Sequence, residues 1–307
     1  MSRPLVWIFL LFGTATFASF CSEAQSAGSN SNQGVQPGSG PVTWGRQVAR
    51  RPGRKNVLAW IDSRSGMQSH AAAIIERLGY ESGVYDTYIR SDAQSAISPV
   101  IGGSNGKRSE EYDLNQFDAI FFLGSRERDL TPQQRADLIS FVKNDGKGFV
   151  GGHAASDAFQ SWTEFAEMLG GRLEGHPWGF TDETLVLEDP NFPGLQQLPR
   201  IVSKHDETYE IKDLSRDKVD VLIRLDVSKL DGSKPVRKDG DFPVAWAKTY
   251  GKGRVYYNAL GHDITVWDNP AIQKMYFEAM KWALGLTDAK IEPHPLVQMN
   301  GSPTLLK

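Results

Sequence analysis

The chain is almost without cysteine: among its 307 residues the one thiol is Cys21. If the N-terminal segment carrying Cys21 is removed on export, the mature chain has no disulfide, no thiolate metal ligand and no cysteine nucleophile. Long apolar runs are missing as well. Leu5 to Phe12 is diluted at once by Gly13, Thr14 and Thr16, whereas about 20 apolar residues are needed to cross a bilayer, so no membrane span is expected. There is no excess of positive charge either: a formal net charge of −3 gives no electrostatic reason to expect a nucleic-acid partner. No HExxH spacing occurs, which removes the metalloprotease signature.

What the N-terminus does have is Arg3, the short apolar stretch, and then small and polar residues up to Ala27. This layout predicts a secretion signal over residues 1–27, cleaved near Ser26 or Ala27, and so an exported, periplasmic or extracellular protein. Acylation of Cys21 is the less favoured route, because bulky Phe20 stands where a small residue is expected. Residues 28–41 are rich in Ser, Gly, Asn and Gln and predict a flexible linker. One folded domain is expected over 42–290, with a loosely attached tail over 291–307. The basic cluster Arg46, Arg50, Arg51, Arg54 and Lys55 lacks interleaved aromatics and reads as a solvated segment beside the linker.

Val57 to Ile61 and Phe149 with Val150 read as strands, another is expected around Val84 and Tyr85, and Ala119 to Leu123 is an unbroken apolar run of the kind buried on both faces; the first strand is followed by a helix over Ala71 to Leu78 that stops at Gly79. Thr131, Pro132 and Gln134 predict a capping box opening a helix that ends near Gly146, and Ser161 with Glu164 predicts another. The second half is strand-rich, at Leu185 to Leu187, Tyr209 to Ile211, Val219 to Leu225, Val244 to Ala247 and Val255 to Ala259. A last helix starts after Asn269 and closes at Gly285. The alternation predicts an α/β fold: a doubly wound, mostly parallel sheet with helices on both faces and a β-rich second half.

In such a sheet ligands bind outside the carboxyl ends of the strands. His153 follows the Phe149 strand, His262 follows the Val255 strand, and His176 lies in a loop nearby; each is preceded by glycine. Together they suit general acid/base chemistry, hydrogen bonding to a sugar, or ligation of a divalent metal such as zinc by His153, His176 and His262. His205, Asp206, Glu207 and Tyr209 form the densest ionisable cluster. Adjacent residues of an extended chain point to opposite faces, so only one of Asp206 and Glu207 can face a given pocket. His70 could reach the same rim, and Trp178, Trp246 and Trp267 offer aromatic faces of the kind that suit sugar rings.

In this order the pieces resemble the ThuA-like family, named for trehalose utilisation and built on the class I glutamine amidotransferase-like fold. The matching features are His70, the Gly-Gly-His-Ala-Ala turn ending the strand from Gly148 to Ala155, and Trp162 to Gly171 leading to Gly175, His176 and Pro177. They continue with Asp206, Glu207 and Tyr209, then Tyr250 to Tyr257, then Leu260, Gly261 and His262. The resemblance implies that fold over Val57 to Leu286 and a link to sugar metabolism that extends to oxidised (keto) sugars. Related amidotransferases carry a cysteine at the strand-to-helix turn; His153 stands here instead, which excludes glutaminase chemistry. The resulting expectation is an enzyme acting on a small-molecule carbohydrate, with His153, Asp206, Glu207 and His262 catalytic and His70, His176, Tyr209 and Trp267 binding substrate. A non-catalytic carbohydrate-binding or scaffold protein is the alternative.

Overall fold

The short apolar runs pair side by side, because a strand buried on both faces satisfies its backbone polar groups only through neighbouring strands. In the computed structural model, which describes residues 50–62, 64–91, 114–196, 198–199 and 201–296, these runs are β1 (Lys55–Ile61), β2 (Tyr85–Arg90), β3 (Ala119–Leu123) and β4 (Gly148–Gly152). The expected leader, Cys21, the linker and Arg46 lie outside the described residues, as does the tail beyond residue 296. The later strands are β5 (Arg172–Gly175), β6 (Phe180–Leu187), β7 (Ile201–Glu207), β8 (Glu210–Lys212), β9 (Asp220–Leu225), β10 (Pro243–Tyr250) and β11 (Gly253–Asn258).

Nine strands form one sheet in the order β2-β1-β3-β4-β11-β10-β9-β6-β7. The first five are mutually parallel and the remainder antiparallel. Strands β5 and β8 make a separate antiparallel ribbon. The helices are α1 (Gly66–Ser82), α2 (Pro132–Lys143), α3 (Thr163–Leu169), the single turn α4 (Ile264–Trp267) and α5 (Pro270–Ala283). Helices α1 and α5 pack together on one face, α2 and α3 on the other. The end of β4 reads out both layers: a Cβ on Gly151 would meet Leu169 of α3 at 3.0 Å, and one on Gly152 would meet Tyr276 of α5 at 3.2 Å. The expected α/β architecture, doubly wound with a β-rich second half, is present. No helix among the described residues is long and apolar enough to cross a membrane.

Local differences have physical reasons. Helix α1 begins a turn earlier than its apolar residues suggest, at the N-cap Ser65, and ends at left-handed Gly83 rather than at Gly79. Gly79 serves close approach instead, since a Cβ there would lie 2.2 Å from the Tyr85 ring. The Thr131 capping box forms, but the one expected at Ser161 does not: α3 starts after Trp162 without a side-chain cap, and the Ser161 amide donates to Glu127 Oε1 at 2.7 Å. The basic segment is not merely solvated, because Arg51 and Arg54 both pair with Asp86 of β2. The segment after residue 290 is fastened to β9, with the Glu292 amide donating to Asp220 Oδ2 at 3.0 Å and His294 Nε2 donating to the Val221 carbonyl at 3.2 Å.

Candidate functional site at the carboxyl edge of the sheet

A polar pocket of about 970 Å³ opens at the carboxyl ends of the parallel strands. Its wall takes Asp62 and Gln68 from the segment after β1, Ser125 and Arg128 from that after β3, His153 and Asp157 from that after β4, and His262 from that after β11. Glu207 and Tyr209, at the end of β7 and just beyond it, close the wall.

The strand β4 turns into a short 3₁₀ helix, His153–Ser156, and His153 takes a left-handed φ of +34°. Such a backbone costs roughly 1–3 kcal/mol for a residue other than glycine. The turn is held by the Tyr257 hydroxyl, which donates to the His153 carbonyl at 2.7 Å, and by His153 Nδ1, which donates to the Ala259 carbonyl at 2.7 Å. With Nδ1 carrying the proton, a neutral His153 presents the lone pair of Nε2 to the pocket.

Three other groups meet at that nitrogen. The Tyr209 hydroxyl donates to His153 Nε2 at 2.8 Å, His262 Nδ1 lies 3.1 Å from it, and Glu207 Oε2 lies 3.4 Å from it. Glu207 Oε2 also accepts from His262 Nδ1 at 2.7 Å. The rings of His153 and Tyr209 stack with centroids 4.4 Å apart, and Phe180, half exposed, meets His262 edge-on at 4.8 Å. His176 stands further out, its Nδ1 3.8 Å from Glu207 Oε1. Burial raises the Glu207 pKa, but the hydrogen bond that His153 makes when protonated, and the charges of His262, His153 and His176 in that state, outweigh it and lower it to about 2. Burial, reinforced by Tyr257 and the nearby carboxylates, pushes the Tyr209 phenol far above its usual value, so it remains an O–H donor.

Asp206 and Glu207 do point to opposite faces of β7. Asp206 is fully buried, and its carboxylate accepts the backbone amides of Gly261 at 2.6 Å, His262 at 3.1 Å and Asp263 at 3.0 Å. It therefore positions the His262 loop and is not available as a catalytic group. Trp267 is corrected likewise: it is wholly buried, stacks on Tyr276 at 4.6 Å and donates its indole N–H to the Gly261 carbonyl, so no ring face is free for a sugar. His70 does not line the pocket; its Nε2 bonds Asp268 Oδ1 at 2.8 Å and ties α1 to the end of α4. His205 pairs with Asp182 on the exposed edge of the sheet, Trp178 donates to the Asp231 carbonyl, and Trp246 is core. Residues that sequence reasoning missed are Tyr257, which sits in the Tyr250 to Tyr257 stretch but gave no sign of its hydroxyl's role, and Arg128, whose place after β3 was a usable signal.

Among the described residues one group of three ligating side chains could hold a metal ion: a nitrogen each of His153 and His262 and an oxygen of Glu207, all within 4.8 Å of one another. Of the three histidines named from the sequence as ligands if a metal binds, His153 and His262 are in that set and His176 is not, while Glu207 is.

The sequence matches none of the curated proteins. Among solved structures, a ThuA-like protein from Bacteroides uniformis superposes with a TM-score of 0.59 at 20% identity, covering 77% of this chain and 94% of that one. A ThuA-like protein from Parabacteroides merdae gives a TM-score of 0.59 at 17% identity, covering 77% and 92%. At these identities the likeness is one of fold. The family described as trehalose utilisation matches residues 56–283, a span that runs from β1 through α5 and takes in every residue of the cluster. The chain belongs to the ThuA family.

Proposed function

We propose that this chain is an exported enzyme of carbohydrate metabolism that acts on a sugar or keto-sugar derivative without a cysteine nucleophile. The observation that carries this reading is the meeting of His153, Glu207, Tyr209 and His262, drawn from three separate stretches of chain, at one pocket wall. A part-buried ionised carboxylate beside two imidazoles is costly unless it is used or fully paired. Glu207 supplies a fixed negative charge, Tyr209 a proton held on oxygen, and the imidazoles a means of moving protons near neutral pH. Those are the elements needed to remove a proton next to a sugar carbonyl, or to protonate a departing sugar oxygen. The family's description, trehalose utilisation, favours a carbohydrate over other polar substrates.

The test is turnover of a panel of glycosides and keto-glycosides by the purified chain. Activity should fall by about 100-fold or more in His153→Ala, with an unchanged far-ultraviolet dichroism spectrum. Sugar binding with no turnover would remove the enzyme reading. It would leave a carbohydrate-binding protein, a second reading favoured by the half-exposed Phe180 ring at the rim. In that case calorimetry would show affinity lost in Phe180→Ala and kept in His153→Ala. Export is checked by sequencing the N-terminus of the processed protein, expected to begin near residue 27 or 28.

A further inference from the structure

The geometry points to a divalent metal centre formed by His153 Nε2, His262 Nδ1 and a Glu207 carboxylate oxygen, an inference that rests on the reading of this cluster as the functional centre. Three observations support it independently of any reaction.

The first is the spacing of the ligand atoms. A first-row cation with bonds of about 2.0–2.2 Å sets its ligand atoms roughly 3.0 Å apart at right angles and about 3.4 Å apart in a tetrahedron. Here His153 Nε2 lies 3.1 Å from His262 Nδ1 and 3.4 Å from Glu207 Oε2, two edges that match, while the third, 2.7 Å, is a hydrogen bond that opens by a few tenths of an ångström when an ion replaces its proton.

The second is proton bookkeeping. Neutral His153 has one lone pair, at Nε2, yet both Tyr209 and His262 approach it at hydrogen-bond distance. The single proton on His262 Nδ1 is at the same time shared with Glu207 Oε2. For neutral rings, hydrogen bonds leave this group with competing claims on one lone pair and one proton. With both imidazoles neutral and unprotonated on the facing nitrogens, two lone pairs and one carboxylate converge on a common point, which is the donor set a cation takes.

The third is the outer shell. Ligating histidines almost always donate their other ring N–H to a carbonyl or carboxylate, which fixes the tautomer and aims the ligand. His153 does so to the Ala259 carbonyl at 2.7 Å. Its loop partner is held just as firmly, because Asp206 grips the backbone on either side of His262.

Two imidazoles with one carboxylate suit zinc or another borderline first-row ion better than calcium or magnesium, which prefer oxygen alone, and manganese, harder than zinc, serves as the comparison. Three protein ligands leave positions open toward the pocket, where adjacent sugar oxygens could bind. Tyr209 lies against His153 and would be the proton donor beside that position, and His176 would stand outside the coordination shell.

The experiment is calorimetric titration of chelator-stripped protein with Zn²⁺ and, separately, Mn²⁺, with metal content of the dialysed complex measured by elemental analysis. One ion per chain is expected for the unaltered protein. Affinity should fall by about 100-fold or more in His262→Ala and in Glu207→Gln, beyond the 10–100-fold typical of lost outer-shell partners. It should be unchanged in His176→Ala and in His205→Ala. His262 is half exposed on a loop, so its variant should fold, and its melting temperature verifies this. No stoichiometric binding by the unaltered protein, or binding that survives in both His262→Ala and Glu207→Gln, overturns the metal centre. Turnover by a protein that binds no ion overturns the metal centre while leaving the enzyme reading standing, whereas one bound ion with no turnover on any sugar supports it and removes the enzyme reading.

Discussion

At the scale of single residues, neighbours in sequence have opposite duties. Asp206 accepts three backbone amides and Glu207 faces the pocket. Removing the Asp206 carboxylate leaves three amides in a dry site, so Asp206→Ala should lower stability by about 3 kcal/mol, measured by urea unfolding, and weaken whatever His262 does. Glu207→Gln removes a carboxylate that the folded state holds ionised and paired with His262, so it should lower stability at neutral pH as well as act on the pocket. Both carboxylates were legible as a cluster in the sequence, and so was the rule that they diverge. Which one turned inward was not, because strand parity depends on the register of β7, and β7 was invisible among Lys204, His205 and the two acids. His153 and His262 were legible because they directly follow buried strands. Trp267 misled for the same reason: a tryptophan after a strand reads alike whether its ring covers the core or a ligand. His70 misled because a helix start near the sheet edge says nothing about which way its side chain leans.

Elements were legible where local chemistry decides them. The Thr131, Pro132 and Gln134 signature became a real capping box, so Thr131→Ala should cost about 1 kcal/mol. Ser161→Ala should cost almost none, since the Ser161 side chain caps nothing. Gly79 shows where packing overrides propensity. Alanine is the better helix former by about 1 kcal/mol, yet Gly79→Ala would drive a methyl into the Tyr85 ring and should destabilise by about 1–3 kcal/mol. Denaturant midpoints for the three variants check all three statements. Strands β5 and β7 escaped detection because β5 is short and half exposed, and because the end of β7 carries consecutive charged and polar residues rather than apolar alternation.

For the whole molecule, the fold was legible because four buried strands and a half-buried edge strand alternate with helices; the antiparallel half was visible only as a surplus of strands. One prediction belongs to this scale. Glu183 is buried on β6, and burial, with the Asp206 charge adding to it and the Thr208 hydrogen bond opposing it, raises its pKa from 4.5 to about 7. The folded state therefore holds a proton that the unfolded chain has lost between those values, so this group's contribution falls as pH rises from about 4.5 to about 7. Glu183→Gln should flatten that part of the stability profile and be the more stable protein at pH 8, by up to roughly 3 kcal/mol. Unfolding midpoints collected from pH 4 to pH 8 check the sign.

The pairing of a pin and a probe on consecutive residues of β7 has a consequence for how this centre can change. Inserting or deleting one residue just before Asp206 would rotate the strand by half its repeat, sending the pin into the pocket and the probe under the loop. Loss of anchoring and loss of the proposed chemistry would then arrive in one step, so a change of length along this strand costs more than a change of composition at its outer positions.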